Sequence, residues 1–436
     1  MTLYVIFFSD PELASGNLLL LMITVNSIIN MSLFYLTKKT IRTPVFLLST
    51  TMLVLVSLPT YVFLFGGQAT LLERIGFIGT ENDLFVVRAL SLISISHAGY
   101  VLGILLGTQK TSDSNSDSIS FFSQESEKFK IIWKALSIIG LFGALFAKLS
   151  NFSIESRANF GRGVPILLLH GWMIAPALAV LFSHWGQKFL MLITLLQIIL
   201  LLQIGGARSS LILVFLSVFI RLTKNREIGA KSKSIKNIAT ASIGIYLGLI
   251  IVQGIPILRA ELRNERLSPS TYIGILRDPL VNLTTVSGFD SVQGAILAIY
   301  AKDSGFEVST LDPLNAFLTF VPRQIWPDKP RFIGPELTQS YSQVQGNAGI
   351  VISGGAYLYL IGGGSLLFIG FFFLLGRWTA RLSQNIRTLI PFMFILHFAI
   401  RFTYGGDSFD LFYILQDVLL FSVASKIASF SLKQKK

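Results

Sequence analysis

The sequence predicts an all-α, polytopic membrane protein with about eleven transmembrane helices and one long external loop late in the chain. Three observations carry this. Hydrophobic residues make up 52% of the chain and charged residues only 14%, where soluble domains carry roughly a quarter charged. Mostly apolar stretches recur along the chain, many of them near the ~20 residues that a bilayer crossing needs. Lysines and arginines gather in alternate connections, the pattern that orients helices with positive loops inside.

The same composition excludes several classes. There are no cysteines, so no disulfide framework, thiolate nucleophile or cysteine metal site can form. The net charge is +13, from 36 basic against 23 acidic residues. It is spread over loops between apolar spans, so it reflects membrane orientation and implies no nucleic-acid partner. No cleavable signal peptide is expected, because Asp10 and Glu12 precede the first apolar run and no basic segment does.

Taken in order, the predicted spans are 18–37, 44–66, 85–107, 131–149, 165–183, 189–206, 208–220, 237–255, 355–376, 388–404 and 408–428. The connections at 38–43, 108–130, 221–236 and 377–387, and the tail ending in Lys433, Lys435 and Lys436, are the basic ones. With eleven spans all of them fall on one side, which is then the cytoplasm. The expected location is a bacterial inner membrane with the C-terminus cytoplasmic. The chain divides into residues 1–255, eight spans with short loops; 256–354, a long external loop; and 355–436, three spans and the basic tail.

The loop 256–354 is the segment with room for structure outside the membrane. An amphipathic helix is expected near 280–301, with Leu280, Leu283, Ser287, Val292, Ile296 and Ile299 partly helical in spacing. Next comes VPRQIWPDKPRFIGP at 321–335, with Pro322, Pro327, Pro330 and Pro335 among Arg323, Trp326, Lys329 and Arg331. Prolines at this density oppose helix and predict a stiff, irregular loop with fixed positive charge. A glycine-rich segment, SGGAYLYLIGGG at 353–364, then re-enters the apolar region.

Because positive charge belongs inside, outer arginines are informative. Arg157 and Arg162 lie in SRANFGRGVP, and Arg208 follows Gly205-Gly206 in a tight turn. His397, Arg401 and Tyr404 share one helical face. His170 lies about 8 Å inside the outer surface at helical rise. Arginine presents a planar, permanently charged fork that matches phosphate oxygens, so convergent arginines suit a lipid-linked diphosphate. Headgroup contact is the competing reading for Arg157 and Arg162, and plain solvated charge for Lys329 and Arg331. For His170 and His397, the candidate bases, it is buried hydrogen-bonded packing. No paired-carboxylate motif stands in the outer loops, so no metal and no cofactor is implied.

On these residues the chain resembles the O-antigen polymerases, the oligosaccharide repeat-unit polymerases of bacterial envelopes. The resemblance covers the layout of spans, the late external loop and the outer arginines. Its most specific pieces are VPRQIWPDKP at 321–330 and SGGAYLYLIGGG at 353–364. The second is similar to a family G-E-x-Y…G pattern, matched by Gly354, Tyr357 and Gly362 but with Gly355 in place of the glutamate. The resemblance implies a GT-C-like fold and metal-independent, inverting transfer of a growing glycan from undecaprenyl diphosphate onto a second lipid-linked repeat unit, at the periplasmic face. Implied partners are that lipid-linked glycan, the bilayer, a chain-length regulator and a repeat-unit flippase. Tyr357, His170 and His397 are then the candidate catalytic residues. Arg157, Arg162, Arg208, Arg323, Trp326, Lys329, Arg331, Arg401 and Tyr404 are the candidate binders of diphosphate and sugar.

This chemistry is consistent with the residue types. A departing diphosphate gains charge, which arginines can stabilise where a metal otherwise would, and an acceptor hydroxyl benefits from a general base. Two alternatives stay open. An O-antigen ligase would share the fold and differ in acceptor. A flippase or transporter of lipid-linked sugars would share the charge distribution, although no repeated halves are seen.

Overall fold

The computed structural model describes residues 82–107, 126–149, 164–182, 188–203, 213–214, 216–217, 290–318, 321, 325–327, 333–341, 352–362, 365–383, 389–405 and 408–434. Among the described residues the regular structure is entirely helical. The spans expected at 18–37, 44–66 and 237–255, and most of 208–220, lie outside them.

Among the described residues eleven α-helices follow in order. They are α1 (Asn82–Gly107), α2 (Ser126–Leu149), α3 (Val164–Phe182), α4 (Lys188–Gln203), α5 (Asp290–Asp303), α6 (Asn315–Leu318), α7 (Ile333–Tyr341), α8 (Gly354–Leu360), α9 (Ser365–Ser383), α10 (Leu389–Gly405) and α11 (Ser408–Gln434). A 3₁₀ turn at Asp312–Leu314 precedes α6. Helices α1, α3, α4 and α10 start and end within three residues of the predicted spans, whereas α2 begins five residues before its span and α11 ends six residues after its own.

Two described stretches, Glu127–Phe146 in α2 and Leu411–Gln434 in α11, are long and apolar enough to cross a membrane. Large apolar side chains are exposed along both: Ile138, Leu141, Phe142 and Phe146 on α2, and Val418, Leu419, Val423 and Phe430 on α11. Such outward apolar faces are what a bilayer solvates.

The tightest pairings are α1 with α9 and α2 with α3, and glycine sets both. In α1, Gly99, Gly103 and Gly107 recur every four residues on one stripe. A Cβ on Gly103 would lie 2.0 Å from the Phe373 carbonyl oxygen, and one on Gly376 would lie 2.1 Å from that of Tyr100. Small residues at this spacing let backbones touch where hydrophobic driving force between helices is weak. Gly140 and Gly171 do the same between α2 and α3.

The structure departs from the sequence expectations at three places. The predicted ninth span, 355–376, is two helices. Ser353 caps α8 by accepting from the Ala356 N–H, and the chain turns at Gly362, whose φ of +82° suits glycine, before α9 begins. The helix expected at 280–301 is described over Asp290–Asp303, and it is enclosed on all sides. Residues from Ala295 to Ile299 are fully buried because α1, α7 and α8 surround it. Finally, α7 begins inside the proline-rich run. Pro335 falls in its first turn, where a missing N–H costs nothing.

Candidate functional site

Three helices bring ionisable side chains together in the bundle. Asp417, on α11 about 13 Å along the helix from its first residue, is fully buried. His170 of α3 places Nδ1 2.7 Å from Asp417 Oδ1. His397 of α10 places Nδ1 3.4 Å from Asp417 Oδ2. Both imidazoles are buried. The bond to the carboxylate makes Nδ1 of His170 the protonated nitrogen and leaves Nε2 with the lone pair. Gln416, the preceding residue, is also buried, and its amide has no hydrogen-bond partner among the described residues.

One turn nearer the start of α11, Tyr413 joins this cluster to a cation. Its ring stacks on His170 at 5.0 Å between centroids. The Arg401 guanidinium lies 4.1 Å from the same ring centre. The pairing follows from antiparallel register: His397 and Arg401 are four apart on α10, and they meet Asp417 and Tyr413, four apart on α11. Arg401 is half-buried, so the cluster runs from a partly accessible cation to a sealed carboxylate.

A second polar group holds the segment from α5 to α8, which the sequence expects on the outer side. Tyr357 of α8 donates its hydroxyl to Asp312 Oδ2 at 2.6 Å, and Asn315 donates to Oδ1 at 2.8 Å. The Arg88 guanidinium of α1 pairs with Asp303 and donates to the Tyr359 hydroxyl at 3.0 Å. Lys302 donates to the Tyr359 carbonyl oxygen and lies 4.4 Å from its ring centre. Burial pushes the Lys302 ammonium below its ordinary value, against the pull of Asp303. Tyr357 also meets Phe402 edge to face at 6.3 Å. That residue follows Arg401 in the last turns of α10, so the outer segment packs on the end of the α10–α11 hairpin that carries Arg401 and Tyr413.

Of the residues singled out from sequence, His170, His397 and Arg401 converge. Tyr357 stands in the outer group with its hydroxyl engaged by Asp312. Tyr404 lies in the last turn of α10, and Trp326 is half-buried in the turn at 325–327. Arg157, Arg162, Arg208, Arg323, Lys329 and Arg331 lie outside the described residues.

Sequence reasoning missed Asp417, Tyr413 and Arg88. A carboxylate within a predicted span is itself a signal, since such groups are costly in a membrane and gather at functional interiors. Tyr413 carried no signal. The glycine at position 355 has a steric reason: a Cβ there would lie 2.3 Å from Ser96 Oγ. Among the described residues no group of three or more histidines and carboxylates is arranged to hold a metal ion; each imidazole engages its own oxygen of Asp417. No family model, curated protein or solved structure matches the chain.

Proposed function

We propose that this chain is a glycosyltransferase of the membrane that polymerises undecaprenyl-diphosphate-linked oligosaccharide repeat units at the periplasmic face, on an eleven-span, GT-C-like scaffold in the inner membrane. The observation that carries the reading is the convergence of His170, His397 and Arg401 around Asp417 and Tyr413. An imidazole oriented by a buried carboxylate is suited to act as a base, and a cation one residue contact away is suited to meet an anion.

In this mechanism Nε2 of His170 takes the proton of the acceptor hydroxyl. The hydroxyl oxygen bonds to the donor's anomeric carbon as the bond from that carbon to the diphosphate oxygen breaks. The electron pair leaves with undecaprenyl diphosphate. Arg401, with Arg208 and Arg323 from the outer turns, stabilises the charge that develops there. Asp417 keeps the histidine in the productive tautomer and offsets its charge once protonated. Tyr357 anchors the outer segment over the site through Asp312.

The decisive experiment uses the purified full chain with lipid-linked repeat units in detergent. Growth of a glycan ladder on the lipid is the expected result, and Arg208→Lys and Arg323→Lys should each slow it by roughly a hundred- to a thousandfold. Lys329→Arg should leave it unchanged. Transfer onto lipid A-core alone would make the chain a ligase.

A second reading is favoured by one feature: a buried carboxylate between two histidines is also the composition of a proton relay in a transporter. In proteoliposomes that reading predicts lipid-linked sugar movement driven by a pH gradient, with no glycan elongation in detergent.

A further inference from the structure

We propose that residues 311–318, the 3₁₀ turn with α6, form a wedge that dips into the outer leaflet beside α11. The polarity of this segment is inside out. Its polar members face the protein: Asp312 is 6% exposed, and it bonds to both Tyr357 and Asn315. Its large apolar members face away from the protein: Leu311 is 66% exposed, Phe317 58%, Leu314 52% and Leu318 40%. An extramembrane loop in water would adopt the opposite arrangement, because exposed apolar area costs about 25 cal/mol per Å².

The neighbours identify what covers these side chains. Both the 3₁₀ turn and α6 pack on α11, whose own outward face carries Val418, Leu419, Val423 and Ile427. The Asp312–Tyr357–Phe402 chain of contacts sets the segment at the end of the α10–α11 hairpin. The four apolar side chains therefore continue the lipid-facing surface of a helix long enough to cross the membrane. The preceding residues Glu307, Ser309 and Thr310 are exposed and polar, as expected where the chain leaves the leaflet for water. Interfacial segments of this kind bury a shallow apolar face at the boundary of headgroups and acyl chains. The occupant is lipid.

The inference depends on α11 crossing the membrane and not on the transferase reading, so either can fail alone. The absence of cysteine permits single labels. Nitroxides at Leu314→Cys and Phe317→Cys are compared, in vesicles of phosphatidylethanolamine and phosphatidylglycerol, with Phe142→Cys on α2 as the lipid reference and Glu307→Cys as the water reference. The measured quantity is the ratio of collisions with oxygen to collisions with a water-soluble nickel chelate. The expected ratios at 314 and 317 are several-fold above that at 307 and approach that at 142. A ratio equal to that at 307 places the segment in water and overturns the proposal. Protection from both reagents means that protein covers the segment, a second copy or a partner, and overturns it as well. Leu311→Cys and Leu318→Cys, on the same face, carry the measurement if either first label prevents a monodisperse protein.

Discussion

The bundle cluster around Asp417 and the outer group around Asp312 both centre on a buried carboxylate, and they use it differently. Asp312 is met by two neutral donors, the Tyr357 hydroxyl and the Asn315 amide, and the residues involved belong to short helices that need fastening. Asp417 is met by two imidazoles from two different long helices. Neutral, fully matched hydrogen bonds fix a structure. Paired titratable groups can exchange a proton, and the amide of the neighbouring residue, Gln416, has no hydrogen-bond partner among the described residues. The comparison teaches that burial of an acid does not identify a reactive site; the chemistry of its partners does.

The largest expected effect tests the bundle side. Asp417→Asn keeps the shape but removes the charge that orients His170. Glycan elongation should fall by about 10²–10⁴-fold, the range for loss of general acid–base catalysis, with the protein still present in the membrane. If Asp417 serves packing alone, the loss should appear in abundance and in thermal unfolding, and the folded fraction should keep its rate.

Next is the packing on which the outer group rests. Gly355→Ala directs a methyl group at Ser96 Oγ and should cost about 1–3 kcal/mol, as overpacked cores do. Adding Ser96→Ala should restore part of that in detergent unfolding midpoints. An unchanged midpoint in the single variant would remove the steric account of why glycine stands there.

Tyr357→Phe sharpens the contrast directly. Asp312 keeps its Asn315 bond, so the stability loss should be about 0.5–1.5 kcal/mol, the net worth of one hydrogen bond. Elongation should stay within a few-fold of normal. A collapse in rate at unchanged stability would make Tyr357 a catalytic residue and erase the distinction between the two groups.

The smallest effect belongs to Asp303→Asn. Its carboxylate is 39% exposed, the amide oxygen of the variant can still accept from Arg88, and Arg88 keeps the Tyr359 hydroxyl, so a change of about 0–1 kcal/mol is expected. A larger cost would mean that the buried Arg88 charge needs a full negative charge opposite it.

Long apolar helices were legible in the sequence because apolar length is a local property of the chain. The same holds for the limits of α1, α3, α4 and α10, which hydrophobic runs mark directly. The shared face of His397 and Arg401 was legible too, since helical periodicity alone sets it. What the sequence could not show is which helix that face meets. Asp417 and His170 are 247 residues apart, and spacing rules reach only a turn or two along one helix. The glycine stripe of α1 and Gly376 of α9 fix how closely those helices approach. The crossing of α3 with the α10–α11 hairpin then turns two histidines and an aspartate into one cluster. The break of the ninth predicted span at Gly362 and the enclosure of α5 were likewise decided by tertiary packing, because an apolar run reads alike whether lipid or neighbouring helices surround it.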